Sequence, residues 1–395
     1  MNTRERFLAT MAFQPVDRIP LWDFGYWDQT LPAWKSQGAP LQDPIPAPKS
    51  PEEAAFSPQG FSYPWSLSLL PGEVSLDPCS QTHLPLDPGI LRVPLNSFIS
   101  PPFAYRVVEE RGDIILVQDP RGHIRMDKKD GASISNIVRP LVSNREDWER
   151  VKAERLALSL DGRLPPNWPQ LRDALKGRDR PLAIGGTSAM FGFYHTTRYL
   201  LGPEQLLYGV YDSPDLVRDI MGHLADLYVF LFDKILTEIS VDLAFATEDI
   251  GFKSGPFISP AMFREFVLPC YRKVMAMLRE HGVTILIVDS DGNNWALIPL
   301  FLEGGVTGMA PMEVAADMDV VKIRDAFPQL QIVGGIDKRC LAAGREQIDQ
   351  ELEYKLGILG QGGYIPTVDH TVPPDVPWEH YAYYRQRVEA LATTR

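Results

Sequence analysis

The segment VTILIVDSDGNN, residues 283–294, joins a short apolar run to two aspartates. Its first seven residues are mostly aliphatic and β-branched, as in a strand that is buried on both faces. The run ends at Asp289, and Asp291, a glycine and two asparagines follow at once. Two carboxylates this close repel each other unless a cation, a proton or a polar substrate lies between them. The segment therefore predicts a buried strand with a polar site at its end.

Similar apolar runs recur along the C-terminal half of the chain, at residues 181–187, 241–247, 305–310, 331–336 and 363–368. Helical stretches lie between these runs, and two of them open on Ser-Pro, at Ser213 and Ser259, a common helix start. Helices that alternate with short apolar strands indicate a parallel sheet covered on both faces.

Two further strands, at residues 18–23 and near 134–142, bring the total to eight. We therefore predict an α/β fold, a single (β/α)8 TIM barrel over residues 1–395. A doubly wound open sheet is the alternative, but no G-x-G-x-x-G motif follows a first strand to favour it. Residues 40–130 are predicted to be a loop-rich insertion, proline-rich at first and then a β-hairpin or meander at 106–126.

The composition is that of a soluble globular protein, with 45% hydrophobic and 23% charged residues among 395. A net charge of −12 argues against a nucleic-acid or membrane-surface partner. Three widely spaced cysteines form no disulfide framework, and neither a signal peptide nor a membrane span is evident. We expect a cytoplasmic homodimer that acts on a small molecule.

Residues that directly follow the strands of a barrel share one rim, and this rim carries the active site. Most of the predicted strands are followed there by ionisable residues: Asp23, Tyr194, Arg198, Glu248, Asp249, Asp289, Asp291, Glu313, Asp337, Lys338, Asp369 and His370. Taken alone, Asp249 or Asp337 is best explained as a helix cap. The convergence of so many ionisable residues on one mouth of the barrel indicates an active site.

Four motifs resemble the uroporphyrinogen decarboxylase superfamily: PVDRIPLWDF at 15–24, GPFISPAMFREFVLPCYRKV at 255–274, GGID at 334–337 and GYIPTVDHTVPPDVP at 363–377. The resemblance covers residues 1–30 and about 180–395. It implies a (β/α)8 barrel with its site at the C-terminal mouth. It also implies one of two chemistries: cofactor-free decarboxylation of the acetate arms of a tetrapyrrole, or methyl transfer between a corrinoid and a thiol at a zinc ion.

The chain departs from both patterns. The decarboxylases carry an arginine-rich loop after the first strand, whereas residues 22–32 read WDFGYWDQTLP, without the arginines that would pair with a polyanionic substrate. His370 does match the family's histidine in the last-strand loop. In the methyltransferases, zinc is bound by His-x-Cys and a distant Cys, and these positions are held here by Asp289, Asp291 and His370.

Two carboxylates and an imidazole suit zinc first, and also manganese, iron(II) or cobalt. We therefore predict a divalent metal site at Asp289, Asp291 and His370. Three alternatives remain open. The aspartates could cap the following helix, His370 could hydrogen-bond a substrate, or the three side chains could share a proton.

The resemblance and its departures favour a metal-assisted methyltransferase or demethylase that acts on a small polar substrate, with methylcobalamin carried by a corrinoid partner protein. The alternatives are a cofactor-free decarboxylase and a non-catalytic barrel that binds a corrinoid or a tetrapyrrole. We assign catalytic roles to His370, Asp291, Lys338 and Glu248. Substrate binding is assigned to Asp23, Tyr194, Arg198, Glu313 and Asp369.

Overall fold

A parallel sheet forms the centre of the computed structural model, which describes residues 1–27, 29–41, 61–62, 84–128, 136–186 and 190–393. Its seven strands, β1 to β7, are Leu91–Arg92, Leu182–Gly185, Leu243–Thr247, Leu286–Asp289, Gly308–Ala310, Gln331–Val333 and Tyr364–Ile365. The strands are neighbours in chain order from β1 to β7, and every pairing is parallel. Consecutive parallel strands need a crossover between them, and the connecting helices provide it.

The N-terminal segment closes the sheet. The amide of Asp87, which precedes β1, donates to the carbonyl of Leu21 at 2.9 Å. On the other side, the amide of Val372 donates to the carbonyl of Gly25 at 2.8 Å, and Tyr26 forms a parallel bridge with Val372. This segment therefore occupies the eighth position, between the chain beyond β7 and the chain before β1, and the predicted (β/α)8 barrel is confirmed.

The helices begin where the sequence places their caps. Ser259 accepts a hydrogen bond from the amide of Met262, and Asn2 and Glu5 form a capping box. The α-helices are Thr3–Met11, Thr30–Ser36, Arg145–Arg155, Trp168–Lys176, Tyr194–Leu201, Pro203–Asp212, Pro214–Leu236, Pro260–Met262, Leu268–Glu280, Ile298–Glu303, Val320–Ala326, Lys338–Ala343, Arg345–Lys355 and Trp378–Thr393. A π-helical turn, Phe263–Val267, joins two of them, and 3-10 turns occupy Trp295–Leu297, Val314–Ala316 and Leu356–Gln361.

A separate antiparallel sheet of four strands, Arg106–Arg111, Ile114–Gln118, Ile124–Lys128 and Asn136–Arg139, confirms the meander predicted at 106–126. The barrel strand predicted near 134–142 is wrong, because Asn136–Arg139 pairs antiparallel with Ile124–Lys128. The sheet uses Leu91–Arg92 instead, which lies inside the predicted insertion. The division into a barrel and an insertion at 40–130 stays a prediction.

Two short antiparallel pairs complete the strands: Tyr26–Trp27 with Phe61–Ser62, and Gly251–Phe252 with Gly255–Pro256. One continuous apolar core joins the N-terminal helix, the sheet and the C-terminal helix. Leu286, Ile287 and Val288 of β4 are fully buried, and burying each such side chain contributes about 1.5–3 kcal/mol. In the described part of the chain, none of the helices has the length and apolarity that a membrane span requires.

Candidate active site

Asp291 and His370, two of the predicted catalytic residues, form an acid–imidazole pair. His370 Nε2 lies 3.7 Å from Asp291 Oδ2, and its Nδ1 lies 2.8 Å from Thr371 Oγ1. The ring of Phe24 packs against the imidazole with a centroid distance of 5.3 Å. Segments that follow the N-terminal strand position, β4 and β7 therefore meet here.

The surroundings decide which member of this pair holds a proton. Burial, followed by the charges of Asp249 and Glu313, raises the pKa of Asp291 to about 7. Burial and the positive charge of Lys338 lower the pKa of His370 to about 4. Near neutral pH the imidazole is therefore neutral, and the Asp291 carboxyl is close to half protonated.

The turn that carries Asp291 is fixed by backbone contacts. Gly292 has φ +79°, and a Cβ at this position would lie 2.4 Å from the carbonyl carbon of Gly251, so only glycine fits. Its amide donates to Glu313 Oε2 at 2.8 Å. At the start of the 3-10 turn Trp295–Leu297, the side chain of Asn293, rather than either aspartate, accepts from the amide of Trp295 at 3.1 Å. The alternative in which the aspartates cap the following helix is therefore not supported.

Asp289, the last residue of β4, is held in register between Thr247 of β3 and Ala310 of β5. Burial and the charges of Asp291 and Asp249 raise its pKa well above the ordinary range. The turn after Asp291 packs against the loop after β3, through the contact of Gly292 with Gly251.

The metal site expected from the sequence does not form. Among the described residues, no three side chains of histidine, cysteine, aspartate or glutamate are gathered closely enough to hold an ion. Asp291 and His370 approach each other, and Asp289 does not join them. The described side chains therefore do not fit the predicted three-ligand zinc, manganese, iron or cobalt site.

Lys338 and Asp369 form a second pair. Asp369 is fully buried, and its Oδ1 accepts from both the amide and the Nζ of Lys338, at 3.1 and 3.3 Å. Its Oδ2 accepts from the amide of Val314 at 2.9 Å. Asp369 thus ties the loops after β5 and β6 together, and this arrangement does not suit the substrate contact predicted for it. The neighbouring Asp337 caps the helix Lys338–Ala343, as predicted.

Asp23 and Glu248 are also fully buried. Asp23 accepts from the amides of Phe24 and Val368 and from the hydroxyl of Tyr381, at 2.9, 3.2 and 2.8 Å. Glu248 likewise accepts from the amides of Phe193 and His195 and from the hydroxyl of Tyr271. The substrate contact of Asp23 and the catalytic role of Glu248 stay predictions, which these hydrogen bonds do not favour. Carboxylates whose oxygens already accept several protein hydrogen bonds hold the structure rather than face a substrate.

A cluster that the sequence analysis assigned differently lies on the loop after β3. Asp249 adopts φ +42°, a left-handed conformation that is costly for a residue with a Cβ. Its Oδ2 lies 3.2 Å from both His195 Nδ1 and an Arg198 nitrogen. Burial works to raise the pKa of Asp249, but the hydrogen bond from His195 and the charges of His195 and Arg198 lower it to about 2. Asp249 is therefore no helix cap, and Arg198 is committed to this cluster.

Tyr194 begins the helix Tyr194–Leu201 beside this cluster. Its ring stacks on Phe257 at 6.4 Å, with an interplanar angle of 7°, and Arg198 lies 6.0 Å from the ring centroid. Burial raises the pKa of the Tyr194 phenol to about 12, so the hydroxyl keeps its proton at physiological pH.

Arg92 was missed because it lies within the predicted insertion. It ends β1, and its side chain packs beside Gly186, which follows β2. Burial lowers the pKa of its guanidinium to about 10, which still leaves it charged at neutral pH. An arginine two residues from a proline, in a strand of two residues, carries no sequence signal for this position.

The profile of the uroporphyrinogen decarboxylase (URO-D) family matches residues 122–391, well over half of the chain. The chain belongs to the URO-D family. It is 23% identical over 399 residues to uroporphyrinogen decarboxylase from Serratia proteamaculans, covering 98% of this chain and 96% of that protein. It is 21% identical to the Xanthomonas euvesicatoria enzyme, with 99% of each covered.

A solved structure, a methyltransferase from Methanosarcina mazei, shares the fold with a TM-score of 0.61 at 14% identity, covering 99% of both chains. The likeness to this solved structure shows a shared fold.

Proposed function

We propose that this URO-D family member is an enzyme that transfers a proton through Asp291 and His370 to a small polar substrate. The observation that carries the proposal is the 3.7 Å approach of Asp291 Oδ2 to His370 Nε2 in a mouth that favours a protonated carboxyl and a neutral imidazole. A general acid works best when its pKa is close to the working pH, and Asp291 meets this condition.

The described cations of the mouth favour a substrate with few negative charges. They are Arg92, Arg198 and Lys338, and Arg198 and Lys338 are already paired with carboxylates. A tetrapyrrole with many carboxylates would need an arginine or lysine for each of its charges.

We propose methyl transfer as the reaction. A corrinoid carried by a partner protein would supply the methyl acceptor. Asp291 would give its proton to the substrate nitrogen or oxygen whose bond to the methyl carbon breaks. Protonation of a leaving group by a positioned acid contributes about 10²–10⁴-fold to rate. Neutral His370 orients the acid and takes up positive charge if the proton moves to it.

Decarboxylation of a monocarboxylate is the second candidate. The proton of Asp291 would then replace carbon dioxide on carbon. The full-length similarity to decarboxylases supports this alternative.

A screen of purified protein distinguishes methyl transfer from decarboxylation. Methylated amines and ethers are incubated anaerobically with free cob(I)alamin, and methylcobalamin formation is followed by absorbance; simple carboxylates are assayed for released carbon dioxide. We expect methyl transfer that falls above about pH 7, as Asp291 loses its proton, and a loss of about 10²-fold or more in Asp291→Asn. The exposed Asp375→Asn is the matched control. Carbon dioxide release without methyl transfer would favour the decarboxylase.

A further inference from the structure

Glu248 is the centre of a buried hydrogen-bond hub at the end of β3. Its Oε1 accepts from the amide of Phe193 at 2.8 Å and from the hydroxyl of Tyr271 at 2.6 Å. Its Oε2 accepts from the amide of His195 at 3.1 Å. Both amides belong to the start of the helix Tyr194–Leu201, where backbone N–H groups lack intrahelical partners. Glu248 therefore holds the segment 190–195, on which Tyr194 is mounted.

The segment 190–195 has little freedom elsewhere. A Cβ at Gly192 would lie 1.9 Å from the carbonyl oxygen of Thr247, so this backbone packs directly against the end of β3. The hydroxyl of Tyr228 donates to the carbonyls of Met190 and Gly192, at 2.7 and 3.1 Å. Tyr228 thus fixes the carbonyl side of the segment, and Glu248 fixes its amide side.

Tyr271 reaches Glu248 from a helix that contains an irregular turn. The π-helical turn Phe263–Val267 directly precedes Leu268–Glu280, to which Tyr271 belongs. Such a turn adds a residue to the helix and rotates everything after it by about 100° relative to a continuous α-helix. In the observed register Tyr271 is fully buried, and its ring meets that of Phe193 edge to face at 4.9 Å. With the π-helical turn in place, the hydroxyl of Tyr271 reaches Glu248.

We propose that Tyr271 is a positioning residue, which acts through Glu248 to hold the segment 190–195 and, with it, the ring of Tyr194 at the mouth. The proposal rests on the proposed function only in taking Tyr194 as part of the substrate site. Without its hydroxyl donor, Glu248 would lose the shortest of its hydrogen bonds. The carboxylate would then be free to rotate, and the amides of Phe193 and His195 would be held less firmly.

The test is Tyr271→Phe, which removes one oxygen and keeps the ring. Tyr364→Phe is the matched control, because Tyr364 is also buried and its hydroxyl donates to the carbonyl of Gly334, on another part of the barrel. Amide hydrogen exchange at Phe193 and His195 and the 13Cζ resonance of Tyr194 are measured in both variants and in the wild type. We expect exchange about 10-fold faster at both amides and a displaced Tyr194 resonance in Tyr271→Phe only.

A purely structural role would lower the melting temperature in both variants and leave the Tyr194 resonance unchanged, and this result would overturn the proposal. If Tyr271→Phe does not fold, Glu248→Gln carries the same test. It keeps the shape of the hub, and faster exchange at Phe193 and His195 is again expected. These measurements need no substrate. Inactivity of the wild type in the methyl-transfer and decarboxylation screen would therefore count against the proposed function alone.

Discussion

Replacing Asp291 with asparagine is expected to make the protein more stable than the wild type at pH 8, with a smaller gain in stability at pH 5. Burial and the neighbouring charges of Asp249 and Glu313 raise the pKa of Asp291 from 3.8 to about 7. Because the folded-state pKa lies above the unfolded value, the contribution of Asp291 to stability is complete below about pH 4 and is lost as the pH rises through about 7. Asparagine does not ionise, so the variant escapes this loss.

The size of the effect follows from the same values. A rise in pKa from 3.8 to about 7 corresponds to about 4 kcal/mol for a group shielded from water, at about 1.4 kcal/mol per pH unit. The Asp291 side chain is 43% exposed, so solvent screens its interactions. We therefore expect a gain of about 1–2 kcal/mol at pH 8 and less than about 1 kcal/mol at pH 5.

The assay is urea unfolding at both pH values, followed by far-ultraviolet circular dichroism. Asp375→Asn, an equal change at an exposed position, is expected to show the same stability difference from the wild type at pH 5 as at pH 8. A variant at Asp291 that is less stable than the wild type at pH 8 would refute the reasoning. That outcome would mean that a cationic partner, such as a charged His370, stabilises the ionised carboxylate.

Three further outcomes can be measured. Asp87→Asn removes a carboxylate that binds Arg18 through two contacts of 2.6 and 2.7 Å, and should cost about 1–3 kcal/mol at pH 7. Burial works to raise the pKa of Asp87, but the hydrogen bonds and charge of Arg18 lower it below the ordinary value of 3.8, so this difference should shrink as the pH falls below that value. Tyr381→Phe removes a donor to buried Asp23 and should cost about 1–3 kcal/mol by urea unfolding, whereas a neutral effect would show that Asp23 is protonated and satisfied without it. Purified protein should form negligible coproporphyrinogen from uroporphyrinogen under anaerobic conditions, and sustained formation would contradict the charge argument.

The sheet was largely predictable from the sequence, because strands buried on both faces leave continuous apolar runs. The run at 283–289 contains β4, and the runs ending at 247 and 368 contain β3 and β7. β1 was not predictable. Leu91–Arg92 has two residues in a proline-rich region, and its place in the sheet is decided by pairing with β2, which no local pattern records.

The site was predictable in position but not in the roles of its members. An acidic residue after a strand can point into the mouth or turn back to accept backbone amides, and the sequence is the same in both cases. Glu248 and Asp369 turn back, and Asp291 does not. The contact of Gly292 with Gly251, which fixes the turn after Asp291, joins residues distant in sequence and leaves no local pattern.

The acidic side chains of the mouth therefore fall into two groups that differ both in hydrogen-bond donors and in exposure. Burial raises the pKa of Asp23, Glu248, Asp289 and Asp291 alike. The first two accept two amides each and fix the loops. Among the described residues, no amide or hydroxyl donates to Asp289 or Asp291. Their oxygens therefore accept hydrogen bonds from water or a substrate, or carry a proton. The firmly bonded carboxylates provide the rigid frame, and the unsatisfied ones are where substrate chemistry is expected.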